Sequence, residues 1–145
     1  MRHLIVWSVV MLSGMLQPIP QERARERIDL SKLGPQVGER VPDFSLIDQT
    51  KIVTAASELA RNTLEHGGGG QVEFELLVTA TRKGLRLVFS DEGPGIANIE
   101  QALRDGFTTG NGLGLGLGGA KRLSNEFEIA SRLGAGTRVT IARWR

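Results

Sequence analysis

Three short stretches place residue types where they could do chemistry. Glu58 and Asn62 are four residues apart in a segment of helical periodicity, so their side chains lie one above the other on one face. A carboxylate and an amide oxygen at that spacing suit a hard cation such as Mg²⁺, or an attacking hydroxyl that must be oriented. A solvated helix face carries the same pattern. Asp91 ends an alternating stretch and is followed by Gly93, Pro94 and Gly95, which puts a carboxylate in a fixed loop. An ionised carboxylate only accepts hydrogen bonds, so it can take those of an exocyclic amine such as adenine's. A purely structural turn has the same composition. The third stretch, Thr108 to Lys121, alternates glycine with leucine through Gly112, Gly114, Gly116 and Gly118. Glycines let backbone approach a ligand closely, and a run leading into a helical pattern offers N–H groups that suit phosphate. It lacks the Gly-Lys-Ser/Thr ending of a P-loop. It also lacks the feeding strand and the following acid of a dinucleotide turn.

The elements that must hold these residues follow from periodicity. From Ile47 the pattern is helical, with Ile52, Ala55, Ala56, Leu59, Ala60 and Thr63 as the apolar stripe, Asp48 as N-cap and Gly67–Gly70 as the stop. Residues 71–80 and 85–90 alternate as two strands around a turn at Arg82–Gly84, predicting an antiparallel hairpin. A short helix capped by Asn98 comes next. Residues 105–110 form a polar segment with the composition of a mobile lid. A helix over 119–124 follows, with Leu117, Ala120 and Leu123 inward, and then strands at 126–131 and 137–143. Helix, two strands, helix, lid, helix and two strands predict an α+β fold, with helices on one face of a largely antiparallel sheet.

The totals narrow the function classes. A chain of 145 residues allows one domain, and a formal net charge of +2 with scattered arginines argues against a nucleic-acid face. There is no cysteine, which excludes disulfides, thiolate nucleophiles and Cys-based metal sites; His3 and His66 are too few for a histidine-rich one. The N-terminal part is of another character. A basic Met1–His3 precedes a mostly apolar run over residues 4–16, the length of a signal-peptide core and short for a membrane span. An uncleaved anchor and a buried helix or strand are the other readings of that run. Residues 21–27 are polar enough for a solvated helix or linker. The segment Val37–Leu46 resembles the opening of redoxin-type proteins, whose redox chemistry is impossible without cysteine. The expected division is therefore a signal-like, foreign or degenerate head over 1–44 and a globular domain over 45–145.

Glu58-x-x-x-Asn62, Asp91-x-Gly93-x-Gly95, the glycine run and Gly136-Thr137 occur in one order. That ordered set resembles the ATP-binding domain of the GHKL superfamily (gyrase and histidine kinase among its members). Within it, Asp48–Asn62 and Gly112–Leu123 are most similar to the anti-sigma-factor and switch-type serine/threonine kinases of stress-response signalling. The resemblance spans about Leu46 to Arg145. It implies a Bergerat-type two-layer α+β sandwich, ATP and Mg²⁺ as cofactors, and a serine or threonine on a STAS-domain antagonist protein as phosphate acceptor. It further implies a phosphatase or sigma-regulatory complex as partner and a cytoplasmic location.

Carried over residue by residue, Glu58 would be the catalytic base or positioning carboxylate and Asn62 the Mg²⁺ ligand. Asp91 would bind the adenine amine, with Gly93 and Gly95 letting the base lie close and Thr137 supporting the contact. Gly112, Gly114 and Gly116 would give the triphosphate its backbone donors. The leader-like residues stand where the superfamily has its first strand and helix, so the domain is expected to lack both. They also leave export or anchoring as the alternative location, with membrane association only through residues 4–16. A non-catalytic ATP-dependent binding module and an inactive fusion fragment are the competing functions.

Overall fold

The structure, a computed structural model, describes residues 4–12, 15–24, 37, 43–104 and 115–145, those before residue 25 through their backbone. The elements are β1 (Leu4–Leu12), β2 (Met15–Ala24), α1 (Leu46–Glu65), β3 (Gln71–Val78), β4 (Lys83–Asp91), α2 (Ile99–Ala102), α3 (Gly116–Arg122), β5 (Glu126–Arg132) and β6 (Gly136–Trp144). They form one sheet in the order β1-β2-β3-β4-β6-β5. Every described pair in it is antiparallel.

The four strands β3, β4, β6 and β5 carry the α+β sandwich. Leu85, Leu87 and Phe89 of β4 and Val139 and Ile141 of β6 point to one face, where they meet the stripe Ile52, Ala55, Ala56, Leu59 and Ala60 of α1. Period 2 on the strands and period 3.6 on the helix each produce one apolar side, and the two sides bury each other. Thr63 completes the buried stripe, its hydroxyl satisfied by the Leu59 carbonyl at 2.9 Å. Helix α1 also packs on α3, whose Leu117 and Ala120 are buried.

β1 and β2 extend this sheet beyond β3, and β2 meets β3 at only two residue pairs, Arg23 with Glu75 and Ala24 with Phe74. Of the apolar run over residues 4–16, residues 4–12 are thus backbone of β1, and 15 and 16 open β2. Residues 21–24 continue β2 rather than forming a helix or linker, because 21–23 pair with β1 on one side and 23 and 24 with β3 on the other. Val37 and Phe44, both ahead of α1, are buried in the main core. Among the described residues no helix is long and apolar enough to cross a membrane.

Two local expectations are corrected. The turn between β3 and β4 lies at Thr79–Arg82, where the Thr79 hydroxyl accepts from the Arg82 N–H at 3.0 Å, so Lys83 and Gly84 belong to the strand. The cap of α1 is Ser45, whose hydroxyl accepts from the Asp48 N–H at 3.1 Å. Asp48 sits one turn in, with Oδ2 taking the Ser45 hydroxyl proton (2.6 Å) and Oδ1 taking Arg143 Nη2 (2.6 Å) and Nε (2.9 Å). A charged partner on the last strand outbids a local capping role.

The Ser45 hydrogen bond and then the Arg143 guanidinium hold the Asp48 carboxyl below the usual carboxylate value. Since the folded state favours the ionised form, this group's contribution is complete above the unfolded value of about 3.9 and fades as pH falls through the lower folded value. Asp48→Asn is expected to lower stability by about 1–2 kcal/mol at pH 7. The difference from the native chain should shrink below about pH 4, read as urea midpoints at unchanged slope.

Candidate active site

A cleft of about 440 Å³ opens between α1 and the ends of β4 and β6. Helix α1 supplies Glu58, Asn62 and His66 to its rim and floor, β4 supplies Asp91, and β6 supplies Thr137. Leu59, Phe89, Ile96, Leu117 and Val139 make the apolar wall. An apolar slot with a few convergent polar groups is the usual form of a small-molecule site.

Glu58 is only 4% exposed, turned inward from the same helix that sends its apolar stripe to the sheet. Asn62 follows one turn later and is half-buried at the cleft. The helix ends directly below it. The Asn62 carbonyl accepts from the His66 N–H at 2.9 Å and from Gly67 at 3.2 Å, and Gly68 and Gly69 leave in left-handed conformations. The predicted glycine stop is therefore also the corner that brings the chain back into β3. The Asn62 amide oxygen is a hard donor at an open cleft, which fits Mg²⁺, an ion that takes most of its ligands from phosphate and water.

Asp91 is fixed by pairing across the sheet. It stands opposite Thr137 in the β4–β6 ladder. Its Oδ1 accepts from the Gly93 N–H at 2.9 Å and the Thr137 N–H at 3.3 Å. Oδ2 is the oxygen left for a ligand amine. Gly136, at φ 91°, passes so near that a Cβ there would overlap the Asp91 carbonyl oxygen. Gly95, at φ 76°, does the same against the Arg132 carbonyl. Both positions demand glycine for conformation and for space. Gly93 stands behind the cleft: a Cβ on it would lie 2.7 Å from the Gly67 Cα, so its bareness serves the α1–β3 corner.

Gly116 lines the cleft at the start of α3 with φ 54°. Gly112 and Gly114, and the lid segment 105–110, fall outside the described residues. Three positions that the motifs did not single out belong to the site. Gly67 and Ile96 line the cleft, and Ser131 braces it from β5. Ser131 had one visible signal: it shares the inward face of β5 with Phe127 and Ile129, a polar residue at the end of an apolar row.

The comparisons with known proteins agree with this geometry. Residues 47–145 match the family model described as histidine kinase-, DNA gyrase B-, and HSP90-like ATPase. The chain is 42% identical over 113 residues to the serine/threonine-protein kinase RsbT of Bacillus subtilis (strain 168), covering 78% of this chain and 84% of that protein. That alignment is longer than the family match, so it reaches into residues ahead of Ile47. The chain is 28% identical over 107 residues to the anti-sigma F factor of Bacillus thuringiensis (strain Al Hakam), covering 70% and 73% of the two chains. In fold it is similar to the mycobacterial sensor histidine kinase MprB, with a TM-score of 0.51 at 21% identity over 83% of this chain and 97% of that one. With Glu58, Asn62, Asp91 and Thr137 gathered on one cleft and the match running through all four, the chain belongs to the histidine kinase-, DNA gyrase B-, and HSP90-like ATPase family.

Proposed function

We propose that the chain is an ATP-dependent serine/threonine-protein kinase of the anti-sigma type, acting in the cytoplasm on a STAS-domain antagonist protein within a sigma-regulatory complex. The observation that carries this is the convergence of Glu58, Asn62, Asp91 and Thr137 on one cleft of purine-nucleotide size. Asp91 Oδ2 accepts the adenine amine, and Thr137 supports the base beside it. Gly95 lines the cleft with its bare side against the Arg132 carbonyl, while Gly93 holds that loop against the α1 corner.

Asn62 would hold the Mg²⁺ that accompanies ATP, and that ion would supply neutralisation of phosphate charge. Gly116 would donate its backbone N–H to the phosphates, the role the family resemblance also gives Gly112 and Gly114, which lie outside the described residues. Glu58 orients the acceptor hydroxyl and takes its proton as the oxygen bonds to the γ-phosphorus and ADP leaves. Phosphoryl transfer asks chiefly for positioning and charge stabilisation, which this residue set supplies without a covalent intermediate. The kinase domain spans 45–145, with 1–44 as a head that joins its sheet through two residue pairs of β2 with β3 and adds Val37 and Phe44 to its core.

The test incubates the full chain with Mg²⁺, γ-labelled ATP and a STAS-domain antagonist protein. Label is expected on a serine or threonine of the partner. Without partner, Mg·ATP at about 100 times its dissociation constant should stabilise the chain by about 2.7 kcal/mol. Stabilisation without transfer would make the chain a nucleotide-dependent binding module. No stabilisation would remove the ATP site.

A further inference from the structure

Ser131 does not line the main cleft, yet its hydroxyl joins three parts of the cleft wall. It accepts from the Ile96 N–H at 2.8 Å, and lies 2.8 Å from the Thr137 hydroxyl and 3.1 Å from the Gly136 carbonyl oxygen. The first contact spans 35 residues of sequence and ties the Gly93–Ile96 loop to β5. A second tie runs beside it, from the Gly134 N–H to the Pro94 carbonyl at 2.9 Å. The loop that carries Ile96 into the cleft is therefore hung on the β5–β6 turn, with Ser131 as its side-chain peg.

The hydrogens must be counted. A serine hydroxyl has one proton and two lone pairs. The Ile96 N–H takes one lone pair, and the proton has two acceptors in reach, the Gly136 carbonyl and Thr137 Oγ1. If it goes to Gly136, Thr137 donates to Ser131 and turns only lone pairs to the cleft. If it goes to Thr137, the Thr137 proton is released toward the cleft. Adenine presents an amine, which Asp91 Oδ2 can accept, next to a ring nitrogen that needs a donor. The second arrangement matches that edge. Hypoxanthine presents a carbonyl and a ring N–H instead, which suits neither Asp91 nor a donating Thr137.

We propose that Ser131 is a positioning residue for base selection, holding Ile96 in place and directing the Thr137 hydroxyl proton toward the adenine ring. It rests on the reading of this cleft as the ATP site.

The experiment measures ADP and inosine diphosphate affinities, with Mg²⁺, for the native full chain and for Ser131→Ala, Ser131→Cys, Ser131→Thr and Asp91→Asn. Cysteine keeps nearly the volume of serine but bonds weakly, and threonine keeps the hydroxyl. Expected is a fall of about tenfold in ADP affinity for the Ala and Cys variants, with inosine diphosphate changed less than about threefold, so that base preference narrows. Ser131→Thr should restore both affinities to within about threefold of native.

Equal losses for the two nucleotides would reduce Ser131 to loop support and overturn the proposal, as would unchanged ADP binding in the Ala and Cys variants. A Ser131→Cys chain that does not fold would overturn it as well, by making the residue structural. Failure of the native chain to bind ADP, or ADP binding indifferent to Asp91→Asn, removes the ATP-site reading and the proposal with it. Loss of ADP affinity in Asp91→Asn with no effect at Ser131 removes the proposal alone.

Discussion

Glu58→Gln is expected to lower phosphoryl transfer to the STAS-domain partner by about 10²–10⁴-fold while leaving Mg·ATP binding within about threefold of native. Glutamine keeps the length and nearly the volume of glutamate, so the packing of this 4%-exposed side chain is retained. What it loses is the capacity to take a proton from the attacking hydroxyl. Because Asn62 and Asp91 are untouched, the polar partners proposed for the nucleotide are kept. Single-turnover transfer of labelled phosphate, run beside nucleotide-dependent thermal shifts, separates the two effects. Transfer at the native rate would take Glu58 out of the chemistry. Loss of nucleotide binding in parallel with transfer would instead give Glu58 a role in holding the site together.

The second large effect is expected at a residue without a side chain. Gly136→Ala should destabilise the chain by about 2–4 kcal/mol, a fall in thermal midpoint of about 7–13 °C, and should abolish Mg·ATP stabilisation. Its φ of 91° is strained for any L side chain, and the new Cβ would overlap the Asp91 carbonyl. β6 would have to move away from β4 at the pair Asp91–Thr137, which pulls the Thr137 N–H off Asp91 Oδ1. Gly134→Ala is the built-in comparison. Gly134 also has a positive φ, 75°, but its Cβ would meet nothing within 4 Å. It should cost about 1 kcal/mol and leave nucleotide binding intact. Equal effects at 134 and 136 would mean that backbone conformation alone, and not close approach to Asp91, makes Gly136 necessary.

The two predictions draw on different kinds of legibility. Glu58 and Asn62 are visible in the sequence because a helix has a fixed period. Once Ile52, Ala55, Ala56, Leu59, Ala60 and Thr63 define the inward stripe, the positions of 58 and 62 on the wheel follow, and the structure buries that stripe as one face. The strands were legible for the same reason, since alternation at 71–78, 85–90, 126–131 and 137–143 reports a half-buried sheet. The ordered motifs pointed to the GHKL fold, and the family match confirms it over 47–145. Local geometry at element ends was read less well. The cap moved from Asp48 to Ser45 because Arg143, 95 residues away, claims the Asp48 carboxylate. The β3–β4 turn moved because pairing of Val78 with Lys83 extends the ladder.

By itself, then, the sequence determined the periodic elements, the shared helix face of Glu58 and Asn62, and the identity of the fold. These depend on spacings of a few residues, which any chain segment carries with it. Only the tertiary structure decided that Asp91 faces Thr137 across 46 residues. It alone showed that Gly136 and Gly95 must be bare because backbone passes against them, and that Ser131 ties the Ile96 loop to Gly136 and Thr137. Register between strands distant in sequence is set by how their inner faces pack together on α1, and a slip of one residue would turn every side chain to the opposite face. No local pattern encodes that choice, so the contacts that complete the cleft become visible only when the sheet has closed on the helix.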